Sequence, residues 1–116
     1  MITYSRIAEL SELRCRFLAR LTAAGFVEEP TWIVNNKLYK NYESNFCIYV
    51  TRDGPLYVNI YTGSLSNMGC TLNSVSDIEK IFNCLVERNE EKLENVVSVI
   101  ELHNMLDRFD RIVAGA

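Results

Sequence analysis

The fold is decided by residues 46–61, which read FCIYVTRDGPLYVNIY. Apolar residues alternate with polar or tyrosine residues on both sides of residues 53–55, a pattern typical of two half-buried strands joined by a turn. Side chains alternate faces along a strand, so one buried face is kept only if the loop has an odd length. The segment predicts an antiparallel hairpin. Its expected facing pairs are Val50–Val58, Ile48–Ile60, Tyr49–Asn59 and Cys47–Tyr61.

A strand of the same kind is expected before this hairpin. The same even parity would turn Trp32, Val34 and Leu38 toward the core and Tyr39 away from it. The sheet is thus expected to cover residues 31–62 as a three-stranded antiparallel meander, followed by a loop. The predicted strands lie at about 32–42, 45–52 and 56–62, and the loop at 63–75 contains at most a short fourth strand near 70–72.

Helical periodicity flanks the sheet on both sides. Apolar residues recur at three- and four-residue steps before Gly25, which suits a left-handed C-terminal cap. Ser76 followed by Glu79 resembles a capping box at the start of a second helix. Arg14 projects near the middle of the first helix's apolar stripe and needs a polar partner or an exit to solvent. The predicted helices span residues 5–24, 76–88 and 90–113.

These elements predict one α+β domain over residues 1–116, in the order α-β-β-β-α-α, with helices packed on one face of the sheet. Hydrophobic residues make up 48% of the chain and charged residues 23%, which excludes a disordered or fibrous chain. The net charge of −3 argues against nucleic acid as a partner. No apolar run reaches the roughly 18 residues of a membrane span. Residues 1–6 lack the features of a signal peptide, so we expect a cytoplasmic protein that binds no membrane.

The third helix carries two apolar stripes on nearly opposite sides. The first consists of Leu93, Val96, Val97 and Ile100. The second keeps spacings of three and four residues, as in paired helices, and consists of Val99, Leu102, Leu106, Phe109 and Val113. One interpretation is that the first stripe docks on the domain and the second binds another copy of the chain or a partner helix. The alternative is that the helix breaks near residues 101–104 and both halves cover one core.

A second candidate surface is the polar face of the sheet. Tyrosine offers a large contact area at a low entropy cost and is enriched at interfaces, although it is also common in strands. The residues expected there are Tyr39, Tyr49, Tyr57, Asn59 and Tyr61.

No motif for catalysis, cofactor binding or metal binding stands out. Cys15, Cys47, Cys70 and Cys84 have no metal-ligand spacing and are expected to be free thiols. His103 is the only histidine, so a small enzyme would have to combine it with a cysteine or a carboxylate.

The expected function is therefore that of a protein-binding module of the inhibitor, immunity, chaperone or adaptor type, self-associating as a homodimer through its C-terminal helix. The expectation for the type of module rests only on an analogy of size and charge. The alternatives are the small enzyme and a nucleic-acid-binding accessory protein. The latter would need Arg6, Arg14, Arg16 and Arg20 to converge with a tyrosine on one surface.

Overall fold

The computed structural model describes residues 4–63 and 67–115, and these form an α+β fold with a five-stranded antiparallel sheet. The α+β class is confirmed, but the expected number of three or four strands is wrong. The described helices end within two residues of the predicted boundaries. The elements are α1 (Tyr4–Ala23), β1 (Val27–Glu29), β2 (Asn36–Asn41), β3 (Phe46–Thr51), β4 (Tyr57–Tyr61), β5 (Asn67–Thr71), α2 (Val75–Glu87) and α3 (Glu90–Gly115).

The central hairpin, β3 and β4, has the predicted register. Val50 faces Val58 and Ile48 faces Ile60, and all four side chains are fully buried. Tyr49–Asn59 and Cys47–Tyr61 are paired on the other face. The odd loop length and the two-residue period were sufficient to determine this pairing.

The predicted register of the strand before this hairpin is wrong. The turn between β2 and β3 has four residues, 42–45, so an odd-numbered residue in β2 faces an even-numbered one in β3. Tyr39 faces Ile48 and is buried on the core side, whereas Leu38 faces Tyr49 on the opposite side. The prediction failed because an even loop exchanges the two faces of the strand.

The side chain of Asn41 explains this turn. Its Oδ1 accepts hydrogen bonds from the backbone N–H groups of Glu43 and Ser44, both at 3.0 Å. Asn45 completes the turn with a φ of 62°, a conformation that asparagine tolerates better than most residues. The turn chemistry of one asparagine therefore reverses which side chains of β2 enter the core.

Trp32 and Val34 do not belong to a strand, contrary to the prediction. They lie in the loop between β1 and β2, and their side chains are 96% and 88% exposed. The loop is held by hydrogen bonds from the Ile33 N–H to the Thr31 hydroxyl and from the Asn36 amide to the Val34 carbonyl. Trp32 and Val34 have a high β-propensity, but propensity forms a strand only where a neighbouring strand pairs with it, and the pairing of β2 with β3 begins at Asn36.

Two short edge strands complete the sheet. β1 has three residues and pairs with β2, while β5 pairs with β4 in the region predicted to be a loop. Residues 64–66 of that predicted loop lie outside the described residues. Gly69 in β5 lies against the hydroxyl end of the Tyr57 side chain, and a β-carbon there would collide with the phenol. Neither β1 nor β5 has a clear alternation of apolar and polar residues. Each becomes a strand because it pairs with a neighbouring strand, so its own sequence does not predict it.

The caps of the first two helices follow from local hydrogen bonds. Gly25, with a φ of 89°, ends α1, and the Phe26 N–H returns to the Leu21 carbonyl at 3.0 Å, as the sequence predicts. The predicted capping box at Ser76 is wrong: Ser74 is the N-cap, and its hydroxyl accepts from the Asp77 N–H at 3.2 Å. The Asp77 carboxylate accepts from the N–H of Asn73, the residue before the N-cap, so a related pair of hydrogen bonds starts the helix two residues earlier than predicted.

The core lies between the helices and one face of the sheet. The rings of Phe17 in α1 and Phe82 in α2 meet with their centroids 5.2 Å apart, and the guanidinium of Arg20 lies 5.1 Å above the Phe82 ring. α3 packs against α2 and β5. This arrangement covers the aliphatic face of the sheet, and none of the described helices packs on the other face.

Arg14 lies in the apolar stripe of α1, and its guanidinium finds polar partners in the turn between β3 and β4. Its Nε donates to the Thr51 carbonyl at 2.7 Å, and its Nη2 donates to the Gly54 carbonyl at 2.6 Å. The guanidinium therefore stabilises the turn of the central hairpin and ties α1 to it.

We expect Arg14→Met to lower the free energy of unfolding by about 1.5–3 kcal/mol, because it removes a charge-assisted hydrogen bond to the half-buried Thr51 carbonyl and a second one to the exposed Gly54 carbonyl. Arg14→Lys should restore only part of this, since lysine lacks the planar fork. Urea denaturation measures the effect. The matched control is Arg16→Met, which removes only an exposed ion pair with Glu12 at 3.7 Å. Equal stability of the Arg14→Met and Arg16→Met variants would contradict the assigned role.

Candidate interaction surface

α3 is one continuous helix from Glu90 to Gly115, so the predicted alternative of a break near residues 101–104 is wrong. Its first stripe docks on the body of the protein: Leu93 is fully buried, and Val97 and Ile100 are almost so. Residues 105–114 are all exposed, and the described molecule measures 49 × 29 × 24 Å. The outer half of the helix therefore extends past the residues that could cover it.

The second stripe of α3 is open to solvent. Its members are Val99, Leu102, Leu106, Phe109 and Val113, which are between 47% and 62% exposed. None of them belongs to the hydrophobic core of the described residues. The helix thus presents a continuous line of large apolar side chains away from the body.

Sequence reasoning missed two members of this surface. Met105 and Ile112 are 58% and 70% exposed. At 100° per residue they lie along one edge of the second stripe, outside the single line of three- and four-residue spacings that defined it, and a projection of all apolar residues of the helix identifies them. We call the seven residues together the α3 apolar face: Val99, Leu102, Met105, Leu106, Phe109, Ile112 and Val113.

Two polar residues lie beside the α3 apolar face, an imidazole nearer its inner end and a carboxylate nearer its outer end. His103 and Asp110 both lie along the edge opposite Met105 and Ile112, two turns apart on the helix. In an antiparallel pair of identical helices, like edges meet, so His103 of each copy would approach Asp110 of the other. An imidazole N–H can donate to a carboxylate, so this edge is self-complementary in the antiparallel direction.

The open face of the sheet carries four of the five residues that were predicted for the second surface. Tyr49, Asn59 and Tyr61 lie on the open face of the sheet. The Tyr49 and Tyr61 rings meet edge to face at 5.7 Å, and the Asn59 amide donates to the Tyr61 hydroxyl at 3.3 Å. Tyr57 shares this face and is 42% exposed.

Tyr39 is the missing member, because the register of β2 places it on the core side. It is 6% exposed, and its hydroxyl donates to Glu28 at 3.4 Å. Burial, the charge of Glu28 and this hydrogen bond raise the pKa of Tyr39 above its ordinary value. The open face therefore carries three tyrosines and one asparagine of the predicted set.

The thiols and the histidine are spread over the molecule. All four cysteines are free; Cys70 and Cys84 are buried, and burial together with Glu101 and Asp77 raises the pKa of Cys70 to about 12. That thiol stays protonated and is a poor nucleophile. His103 is exposed on α3 and lines none of the clefts that we describe in residues 4–63 and 67–115.

The arginines of α1 are each engaged by a different partner. Arg14 binds the β3–β4 turn, while Arg6 pairs with Glu9 at 2.9 Å and Arg20 with Glu79 at 3.0 Å. Arg16 pairs with Glu12. Carboxylates thus accompany three of the four cations that a nucleic-acid-binding surface would require.

The described residues offer no metal site and no membrane-spanning helix. Within residues 4–63 and 67–115, no group of three or more His, Cys, Asp or Glu side chains is arranged to hold a metal ion. None of the helices in the described part of the chain combines the length and apolarity needed to cross a bilayer. No protein-family model matches the chain, and comparison with curated proteins and with solved structures finds no match.

Proposed function

We propose that this protein is a protein-binding module that forms an antiparallel homodimer through the α3 apolar face. One observation carries the proposal: a continuous helix docks by one stripe and exposes a second stripe of large apolar side chains over its outer half. Monomeric proteins rarely expose contiguous apolar patches beyond a few hundred Å².

The size of the α3 apolar face fits a second copy of the chain. Its seven half-exposed side chains present on the order of 700 Å² of accessible surface per copy. Complete coverage of both faces would bury about 1,400 Å², which is the upper limit for this interface and lies within the ~1,200–2,000 Å² of stable interfaces. The spacing of three and four residues allows side chains of one helix to pack between those of the other.

The antiparallel direction is supported by the charged edge. With the two-fold axis near Leu106, the ends of the stripe meet each other and His103 approaches Asp110 of the partner copy. A parallel pair would instead place Asp110 near the apolar edge formed by Met105 and Ile112 and leave its charge without a partner.

The open face of the sheet remains available to a different protein in such a dimer. Tyr49, Tyr57, Asn59 and Tyr61 form an amphipathic platform of the kind enriched at protein interfaces. This second surface is consistent with an inhibitor, immunity, chaperone or adaptor role. We propose the cytoplasm as its compartment because the four free cysteines suit a reducing environment.

Sedimentation velocity of the native chain over a range of concentrations tests the proposal. We expect a species of twice 13.3 kDa that dissociates reversibly on dilution. A spin label or fluorophore at residue 113 should lie near residue 99 of the other copy and far from residue 113 of that copy. A chain that remains at 13.3 kDa throughout would contradict the proposal, and closely spaced labels at the two 113 positions would contradict the antiparallel arrangement.

A further inference from the structure

A cleft of about 800 Å³ lies between the start of α1 and the outer half of α3. At 100° per residue, its α3 wall is on the side of the helix opposite the α3 apolar face, so a dimer would leave the cleft open. The polar groups that line it are Arg6, Asn73, Asn104, Asp107, Arg108 and Arg111.

A chain of hydrogen bonds fixes the two walls of the cleft relative to each other. Arg6 donates to the side-chain oxygen of Asn73 at 2.9 Å, and the Asn73 amide donates to Asn104 at 2.9 Å. Asn104 in turn donates to the Thr71 carbonyl at 3.0 Å. These bonds connect α1, the segment after β5, and α3, so the cleft exists before any ligand enters it.

Two guanidiniums in this cleft have no polar partner among the residues that the structure describes. The other six of the eight arginines are engaged: four by carboxylates and two by backbone carbonyls. Arg108 and Arg111 form neither an ion pair nor a hydrogen bond with a described residue. They are one turn apart on α3 and line the same cleft as Arg6.

We infer that this cleft binds an acidic peptide segment of a partner protein. Guanidinium groups bind carboxylates through paired, charge-assisted hydrogen bonds, and two of them at helical spacing can bind successive acidic side chains. The carboxylate of Asp107 provides an acceptor for the N–H groups of a peptide backbone, while Asn73 and Asn104 hold the walls of the cleft in place.

A peptide fits the site better than a polyphosphate chain. Asp107 lies within the cleft, and its carboxylate can accept hydrogen bonds from the N–H groups of a peptide backbone, whereas the phosphate oxygens of a nucleic-acid backbone have no proton to donate to it. Leu10 and Pro55 also line the cleft and offer apolar contacts to a peptide with mixed side chains. The inference does not depend on dimerisation, because the two surfaces are on opposite sides of α3.

An array of random dodecapeptides, probed with the labelled full-length chain, tests this inference. We expect the bound peptides to be enriched in Asp and Glu, and their signal to fall when salt is raised. The Arg108→Gln, Arg111→Gln variant should lose about tenfold or more of the signal on acidic peptides. Lys80→Gln, Lys92→Gln is the matched control, because it removes two positive charges that lie outside both the cleft and the open face of the sheet and should keep the signal.

Three results would overturn the inference: no acidic enrichment, full retention of the signal by the arginine variant, or an equal loss in the lysine control. Binding of a single-stranded oligonucleotide that depends on Arg108 and Arg111, without binding of acidic peptides, would also overturn it. Sedimentation of the arginine variant separates the two proposals, because that variant leaves the α3 apolar face intact and should have the same mass as the native chain.

Discussion

The combined substitution Leu106→Asp and Phe109→Asp is expected to weaken self-association by at least about a thousandfold. Each substitution occurs twice in a symmetric dimer, so four large apolar side chains leave the interface, at roughly 1.5 kcal/mol or more each. The introduced carboxylates would also lose hydration on association. Sedimentation velocity should show the 13.3 kDa species at every concentration at which the native chain is a dimer.

The fold of this variant should be preserved, because both positions are more than half exposed in the single chain. We expect the free energy of unfolding of the monomer to change by no more than about 1 kcal/mol, and the circular dichroism spectrum to remain helical. A chain that loses its helical signal would indicate that these residues support the fold rather than an interface.

A matched control distinguishes the α3 apolar face from exposed apolar residues in general. Ile7→Asp with Val86→Asp introduces the same charges at positions that are 52% and 69% exposed on α1 and α2. This variant should remain a dimer. Dissociation of both variants alike, or of neither, would contradict the assignment of the interface to α3.

The second large effect concerns the core. Phe17→Ala is expected to lower the free energy of unfolding by about 3–5 kcal/mol, a large part of the ~5–15 kcal/mol that stabilises a typical domain. Phe17 is fully buried against Phe82 between α1 and α2. Its removal leaves a cavity that the surrounding side chains can fill only partly.

Urea denaturation should be measured in the Leu106→Asp, Phe109→Asp background, because dimerisation makes the apparent stability depend on concentration. Tyr4→Ala provides a control on the same helix, since Tyr4 is 92% exposed and should contribute little. If Phe17→Ala unfolds at the same urea concentration as Tyr4→Ala, the described packing of α1 is incorrect.

Local signals in the sequence were sufficient for the helices and for one hairpin. The alternation on both sides of residues 53–55 determines the pairing of Val50 with Val58, because a two-residue period and an odd loop leave one parity. Gly25 ends α1 through a bond that closes within five residues, from Phe26 to Leu21. Such features involve neighbours along the chain and can be predicted from it.

The candidate surfaces were only partly predictable. The periodicity of α3 predicts its two apolar stripes, but it does not show which of them packs against the rest of the domain. The choice depends on packing against α2 and β5, where Leu93 becomes fully buried and Leu106 remains exposed. No pattern in the sequence indicates the cleft between α1 and α3, because Arg6 and Arg111 are far apart in the chain and only the tertiary structure places them on the same cleft.

By itself, then, the sequence determined the α+β class, the three helices and the central hairpin, all of which arise from short-range periodicity and caps. The tertiary structure decided the rest. The four-residue turn after Asn41 moved Tyr39 into the core, and neighbouring strands turned residues 27–29 and 67–71 into sheet edges. The physical reason is that a strand's partner and a helix's buried side are chosen by hydrogen bonds and apolar burial between segments distant in the chain.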